Sequence, residues 1–311
     1  VLLSSSSSSS SYSPLNFYLM GPIKQTDVAN FWVCQDDWPT ITTHRAFFLS
    51  SSSVLSSDPP EDNTNTPNST YTYDPSKPVP TVGGPNLVGD CGPFDQREIE
   101  SQSQVLVFTS DELLEDLVIV GKVSFQLFAS SSAIDTDFMV KLTDVYPTEE
   151  SYNVLDAGVR ARWRDGSENP PQQLTPGEIV EYNIDLLSTA YVFPKGHKIR
   201  IDITSSNYPR YSINYNNFKL LNEEPQVDPV IAENTVFHTR EHPSALILPV
   251  VDYNDLKSNE CYAPENEGDP YPLWLIIVLG AIVLVAVVVS VGLLVRWVLK
   301  TRRDSHVEIV A

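Results

Sequence analysis

The sequence predicts an all-β fold, a two-sheet β-sandwich of jelly-roll type, followed by a single C-terminal transmembrane helix. Short segments that alternate apolar and polar residues recur from about residue 104 to residue 251, a period typical of strands with one buried face. No stretch before residue 272 has a convincing helical period. One uncharged apolar run, residues 273–295, is long enough to cross a bilayer.

The alternation is clearest in two segments. In residues 197–204 three isoleucines alternate with charged residues, and residues 178–186 show the same period with Tyr182 and Ile184 among the apolar positions. Further strands are predicted at residues 104–109, 117–129, 138–145, 235–238 and 245–251. Seven or eight such strands over about 180 residues fit two packed sheets better than a small closed barrel. The alternation supplies apolar side chains for both inner faces.

Charge and cysteine content exclude some classes of function. The net charge is -20, with 40 acidic and 20 basic residues, and such a balance repels the phosphates of nucleic acids, so no nucleic-acid partner is predicted. Three scattered cysteines, Cys34, Cys91 and Cys261, form no CxxC pattern and predict no zinc site. In an oxidising compartment an odd cysteine either pairs with one outside this sequence or stays free.

The apolar run at residues 273–295 predicts how the chain sits in a membrane. A helix of 23 residues, at about 1.5 Å per residue, covers the roughly 30 Å hydrocarbon core. Basic residues follow the run and acidic residues precede it, so the tail is expected in the cytosol and the rest outside the cell or in a lumen. This is a single-pass type I arrangement, with the lipid bilayer as partner. A glycolipid-anchor signal is the rival, but such signals end in their apolar tail.

Several strings occur in a fixed order: YTYDPSKPVPTVGG (71–84), DQREIE (95–100), VLVFTS (105–110), SSSAIDTDFMVKLTDVYP (130–147), LTPGEIVEYNIDLLSTAYVFPKGHKIRIDITSSNYPR (174–210) and HPSALILPV (242–250). Together they closely resemble the C-terminal jelly-roll, galactose-binding-like domain of the Xaa-Pro dipeptidyl-peptidase and cocaine-esterase-like (CocE/NonD) serine hydrolase family. Upstream, FYLMG (17–21) and DDWP (36–39) resemble the family's linking segment, with an insertion between them.

The resemblance implies an organisation and a partner. An upstream α/β-hydrolase domain of the same full-length protein supplies a Ser-Asp-His triad, and this domain packs against it and helps to wall the acyl pocket. No catalytic residue, metal or cofactor is therefore expected in this chain, and the parent's substrate is a peptide or an ester. A loop beside the pocket is the implied substrate-side wall, formed by Gly83, Gly84, Pro85, Asn86 and Leu87. An ordinary turn is the alternative interpretation of this loop.

The chain is accordingly divided into six parts: 1–16, a Ser-rich low-complexity segment; 17–70, a linking segment from a missing hydrolase domain; 71–252, the sandwich; 253–272, a polar stalk; 273–295, the transmembrane helix; and 296–311, a cytoplasmic tail. Because the sequence begins with Val1 and a serine run, without Met or a signal peptide, we expect it to be a fragment. Its sequon, Asn68-Ser69-Thr70, makes Asn68 a candidate glycosylation site.

Other motifs give weaker indications of chemistry. No glycine begins the GxSxG pattern of a nucleophile elbow. His238 and His242 match HxxEH, which binds zinc on a helix, but the residues before them favour a strand and a proline follows, so a strand and loop are predicted. Asp135 and Asp137 are either an acid/base or calcium-binding pair or, as we favour, loop caps that accept backbone N–H bonds.

Two hypotheses about function follow. In the first, the chain is the accessory part of a membrane-anchored Xaa-Pro dipeptidyl-peptidase or a related ester or amide hydrolase. In the second, it is a non-enzymatic cell-surface β-sandwich that binds a glycan or a protein. The sequence upstream of Val1 discriminates between them: a GxSxG with downstream Asp and His supports the enzyme, and a signal peptide directly upstream supports the binding module.

Overall fold

The computed structural model describes residues 15–23, 28–38, 43–61, 67–86, 89–219, 228–261 and Arg296. The chain divides into two units, Val1–Cys261 and Tyr262–Ala311. The predicted transmembrane helix at residues 273–295 lies outside the described residues. Among the residues that are described, no helix is long and apolar enough to cross a membrane.

Strands dominate the described part of the first unit. In chain order they are β1 (Leu15–Leu19), β2 (Phe31–Gln35), β3 (Thr43–Ser50), β4 (Val54–Ser56), β5 (Asn68–Tyr73), β6 (Leu106–Thr109), β7 (Leu117–Ser131), β8 (Asp137–Val145), β9 (Ser151–Arg160), β10 (Val180–Phe193), β11 (Lys198–Thr204), β12 (Ala232–Phe237), β13 (Ala245–Val250) and β14 (Glu260–Cys261). Two short helices accompany them, α1 (Arg97–Glu100) and α2 (Tyr253–Ser258).

Eleven strands form one hydrogen-bonded path that folds into two layers. Its order is β5-β12-β7-β13-β3-β4-β6-β11-β8-β9, with β10 paired to β7. The two halves are joined through the short strand β4, which pairs with β6 at Val54 and Thr109. Phe138 of β8 and Tyr182 of β10 meet across the core with ring centroids 5.0 Å apart. The predicted all-β sandwich is therefore confirmed.

The isoleucine side chains of β11 face the core, as the period of two predicts. Ile199, Ile201 and Ile203 have no exposed surface, and Ile201 lies opposite Phe108 of β6 and Leu142 of β8. The other face of the strand departs from the prediction of a half-buried strand. Its Asp202, expected to face solvent, is only 2% exposed, because a small apolar cluster formed by Val79, Ile99 and Val105 lies near this face.

The segment interpreted as a linker contributes strands. Residues 17–70 include β3, whose residues 43–48 pair with the whole of β13, and β4. The boundary at residue 71 falls inside β5, which pairs with β12. Residues 253–261 of the predicted stalk form α2 and β14, and Asp252 caps α2 by accepting the N–H of Asn254 at 2.8 Å.

A smaller sheet, β1-β2-β14, packs on the outside of the sandwich. Its inner side chains Leu19 and Val33 join a second apolar cluster with Val120 of β7, Val192 of β10 and Leu256 of α2. A disulfide between Cys34 and Cys261, with Cα atoms 5.8 Å apart, ties β2 to β14. Cys91 is free and exposed. It is therefore the odd cysteine, which either pairs with a cysteine outside this sequence or stays free.

Candidate functional site

The predicted substrate-side loop extends from Gly83 to Gly92, and its described residues, 83–86 and 89–92, are joined by hydrogen bonds between glycines. The Gly84 N–H donates to the Gly92 carbonyl at 2.8 Å, and the Gly92 N–H donates back to Gly84 at 2.9 Å. Gly83 has a φ of +63°, and a Cβ there would lie 2.6 Å from the Gly92 carbonyl oxygen, so this position requires glycine. Asn86 closes the loop by donating from Nδ2 to the carbonyls of Gly83 and Asp90 at 2.8 and 3.1 Å.

An open cleft of about 590 Å³ lies beside this loop. The residues that line it are Thr81, Val82, Gly83, Pro85, Asn86, Asp90, Pro209 and Arg210. Three of the predicted wall residues, Gly83, Pro85 and Asn86, are thus brought to one cleft. Gly84 lies behind them, where a Cβ would be 3.6 Å from Asp156 Oδ1. Leu87, the fifth, lies outside the described residues.

Hydrogen bonds join the opposite wall of the cleft, residues 207–211, to residues 79–81, which lead into the loop. The Thr81 N–H donates to the Tyr208 carbonyl at 2.7 Å, and the Tyr208 N–H donates to the Val79 carbonyl at 3.0 Å. The Arg210 N–H donates to Thr81 Oγ1 at 3.3 Å. The Tyr208–Pro209 peptide bond is cis. Because both walls share these bonds, their separation is fixed by the backbone.

A largely buried ion pair lies behind the cleft, and of its two members Arg210 lines the cleft. The Arg210 guanidinium pairs with the Asp156 carboxylate, and their side chains are 15% and 6% exposed. Asn207 Nδ2 donates to the second carboxylate oxygen of Asp156 at 2.7 Å. The guanidinium also lies over the Tyr211 ring, 5.0 Å from its centroid. Since each charge has a partner, these groups are suited to hold the walls rather than to exchange protons.

Asp156 also lines a small cavity of about 20 Å³, together with Lys141 and Asp202. Neither carboxylate oxygen of Asp202 has a hydrogen-bond partner among the described residues. Burial, reinforced by the nearby Glu100 carboxylate, raises the pKa of Asp202 to about 8. Burial also lowers the pKa of Lys141. Sequence reasoning missed this pair, because charged residues between apolar strand positions are usually solvent-exposed.

Asp135 and Asp137 are held by arginines. Arg162 Nε donates to Asp135 at 2.8 Å and Arg160 Nε donates to Asp137 at 2.9 Å. Asn214 Nδ2 bridges the two carboxylates at 2.9 and 2.7 Å. Burial raises the pKa of Asp137. One backbone N–H, that of Arg162, donates to Asp135, so ion pairs, more than the backbone caps we favoured, occupy this site.

The HxxEH motif lies on a strand end and loop, as its flanking residues indicated. His238 directly follows β12 and bridges to Pro243, and His242 packs on the Phe128 ring with centroids 5.4 Å apart. Within the described residues no group of three His, Cys, Asp or Glu side chains has the arrangement of a metal site.

His238 makes a serine contact that sequence reasoning missed. Its Nε2 lies 3.1 Å from Ser69 Oγ, the distance of a nucleophile and its base. However, its Nδ1 has no hydrogen-bond partner among the described residues, and burial lowers its pKa. An imidazole without a carboxylate to orient it lacks the third member of a triad. The contact is therefore better explained by the pairing of β5 with β12.

A second contact, between a histidine and an aspartate, resembles part of a catalytic triad but is buried in the core. His197 Nδ1 lies 2.8 Å from Asp144 Oδ1, and Tyr191 Oη donates to the same carboxylate at 2.9 Å. Burial raises the pKa of Asp144. Both His197 and Asp144 have no exposed surface, so no substrate can reach this pair. The two partners are 53 positions apart in the sequence, so nothing in the local sequence pointed to the pair.

Comparisons with known proteins agree with this picture. A family model described as the X-Pro dipeptidyl-peptidase C-terminal non-catalytic domain matches residues 10–247. The cocaine esterase of Rhodococcus sp. (strain MB1 Bresler) is 38% identical over 229 residues, which is 71% of this chain and 40% of that protein.

Two solved structures share the fold. An aminopeptidase from the marine sediment archaeon Thaumarchaeota archaeon superposes with a TM-score of 0.63 at 27% identity, over 72% of this chain and 39% of the other. An α-amino acid ester hydrolase superposes with a TM-score of 0.63 at 28% identity, over 71% of this chain and 39% of the other. The chain thus spans about two fifths of the length of these relatives.

Proposed function

The chain belongs to the family of X-Pro dipeptidyl-peptidase C-terminal non-catalytic domains, and from this premise we propose that it is the accessory part of a membrane-anchored serine hydrolase. In the proposed full-length protein, an upstream α/β-hydrolase domain supplies the nucleophile, the base and the oxyanion hole. The relatives are named as an esterase, an aminopeptidase and an amino acid ester hydrolase. The proposed substrates are therefore peptides or esters with a cleavable acyl bond, Xaa-Pro peptides first among them.

The observation that carries this proposal is the geometry of the substrate-side loop. Two glycines and the Asn86 amide fix a wall of small residues beside an open cleft of about 590 Å³. Such a wall can exclude water and hold the acyl side of a substrate. The ion-paired Asp156 and Arg210 behind it supply rigidity. The reacting groups are left to the partner domain.

The proposed role predicts an effect on binding more than on the chemical step. A wall that contacts the substrate equally in the ground state and the transition state contributes uniform binding, whose loss raises KM and leaves kcat nearly unchanged. Gly83→Ala tests this, because its Cβ would meet the Gly92 carbonyl at 2.6 Å and displace the loop. In the full-length protein we expect KM for an Xaa-Pro anilide or aryl ester to rise by about tenfold.

Gly177→Ala is the matched control. Gly177 also has a positive φ, +83°, but a Cβ there would meet no atom within 4 Å, and the residue does not line the cleft. Both substitutions impose left-handed backbone on alanine, and Gly83→Ala alone displaces the cleft wall. Equal KM values for Gly83→Ala and the unsubstituted protein would contradict the proposed role of the loop.

Membrane anchoring is part of the proposal and rests on residues 273–295. Two features of the described residues support an extracytoplasmic sandwich: the Cys34–Cys261 disulfide, which is typical of oxidising compartments, and the exposed position of Asn68 at the start of β5. With an added signal peptide, the chain is expected to insert into sealed microsomes with a glycan on Asn68 and only the tail after residue 295 open to protease. Protection of the tail from protease would count against this topology. So would an Asn68→Gln variant with the same apparent mass as the unsubstituted protein, because such a result would mean that Asn68 carries no glycan.

A further inference from the structure

Gln96 bridges the entry and the exit of the substrate-side loop. Its side chain has no exposed surface. Its Nε2 donates to the carbonyl of Val82 at 3.0 Å and to the carbonyl of Phe94 at 2.9 Å. Val82 leads into the loop at Gly83, and Phe94 lies two residues after its end at Gly92. One buried amide group therefore holds both limbs of the loop.

Lys141 orients this amide. Its Nζ donates to Gln96 Oε1, and an ammonium group has donors and no acceptor. Gln96 Oε1 must therefore face Lys141, which directs the amide N–H groups at the two loop carbonyls. A flipped amide would set its NH₂ group against the ammonium and its oxygen against two carbonyl oxygens. Lys141 itself lies in β8 between β9 and β11, so the sandwich sets the orientation.

Asn153 of β9 reinforces the exit limb. Its Oδ1 accepts the Phe94 N–H at 2.8 Å and the Gln96 amide at 3.2 Å, and the residue is 8% exposed. The loop thus rests on two strands of the sandwich, β8 through Lys141 and β9 through Asn153. Gln96 is the group that joins both supports to both limbs.

We propose that Gln96 is the positioning residue of the substrate-side loop: its amide, oriented by Lys141, fixes the separation of the loop's limbs and so the position of the cleft wall. Gln96 does not itself line the cleft, so it acts through the loop. That this wall faces a substrate rests on the proposed function, whereas the clamp on the loop does not.

Gln96→Glu tests the clamp with little change of shape. A carboxylate at this position still pairs with Lys141 but cannot donate to the carbonyls of Val82 and Phe94. Hydrogen–deuterium exchange of the 311-residue chain is the measurement. We expect amides of residues 83–94 to exchange at least about tenfold faster, because a lost buried donor costs enough to open a loop locally, while amides of β7 and β10 keep their protection.

Gln104→Glu is the matched control, because Gln104 clamps a different turn in the same way. Its Nε2 donates to the Lys77 carbonyl at 2.8 Å and its Oε1 accepts the Asp74 N–H at 2.9 Å. This variant should loosen the turn at residues 74–77 and leave residues 83–94 unchanged. Lys141→Met provides a second route if Gln96→Glu fails to fold, since it removes the group that orients the amide. We expect faster exchange of the same loop in Lys141→Met.

Unchanged exchange of residues 83–94 in the folded variants would overturn the clamp, and so would an equal loss of protection in β7 and β10. The positioning role has a separate readout in the full-length protein, where Gln96→Glu is expected to raise KM by about tenfold with kcat retained. A loosened loop with unchanged KM would overturn that role. If the unsubstituted full-length protein hydrolyses no substrate, the proposed function fails, while the exchange experiment still decides the clamp.

Discussion

At the scale of single residues, the polar groups behind the cleft are those that the sequence could not indicate. Gln96 belongs to the string DQREIE, which carried a family resemblance but no structural role. Its role depends on Lys141 and Asn153, which lie 45 and 57 residues away in the sequence. By contrast, the family resemblance singled out Gly83, whose φ of +63° favours glycine.

Asp202 gives the stability of the fold a pH dependence. Its pKa of about 8 in the folded chain lies above the roughly 3.9 of an unfolded aspartate, so the folded state holds the extra proton. Its contribution to stability is complete below about pH 4 and is lost as the pH rises through about 8. We expect the melting temperature of the unsubstituted chain to fall from pH 5 to pH 9 relative to that of Asp202→Asn.

Lys141 responds to the same substitution, because the Asp202 charge raises its pKa against the lowering by burial. Without that charge the pKa of Lys141 falls further in Asp202→Asn, which makes the variant gain stability with pH and leaves the sign of the expected difference unchanged. Asp185→Asn serves as the control. Asp185 pairs with Lys122 on the surface. Partial burial raises its pKa, but the hydrogen bonds from Lys122 and from the Leu187 N–H, together with the lysine's charge, outweigh burial and lower it, so Asp185 should add no slope between pH 5 and pH 9. Melting curves that shift in parallel for Asp202→Asn and the unsubstituted chain would show that Asp202 is ionised throughout.

At the scale of elements, most strands of the large sheet were predictable from the sequence, whereas β3 and β9 were not. In β11 and in the first half of β10 the apolar positions of the period-two pattern lie in the core, Ile201 and Ile184 among them. β9 was missed because a bulge breaks its period: Leu155 pairs with Leu142 and Asn153 with Thr143, which leaves Val154 out of the register. β3 was missed because its partner, β13, lies about 200 residues later and supplies the apolar context that its own sequence lacks.

At the scale of the whole molecule, the candidate site is assembled from distant segments. The cleft joins residues 81–90 to residues 209–210, and the disulfide joins β2 to β14 across 227 residues. The family resemblance singled out this loop, three residues of which line a cleft, and its role as a substrate-side wall stays a prediction. The opposite wall and the buried network behind it follow from tertiary packing, which periodicity and composition do not encode.

The central proposal is that this chain contributes a wall to a hydrolase whose nucleophile lies in another domain. Its most direct test is turnover of an Xaa-Pro anilide and an aryl ester, with labelling by a serine-directed phosphonate, by the 311-residue chain beside the full-length protein. We expect the chain alone to show neither turnover nor labelling, because Ser69 and His238 lack an orienting carboxylate, and we expect the full-length protein to show both. Turnover by the chain alone, or stoichiometric labelling that Ser69→Ala abolishes, would contradict the account.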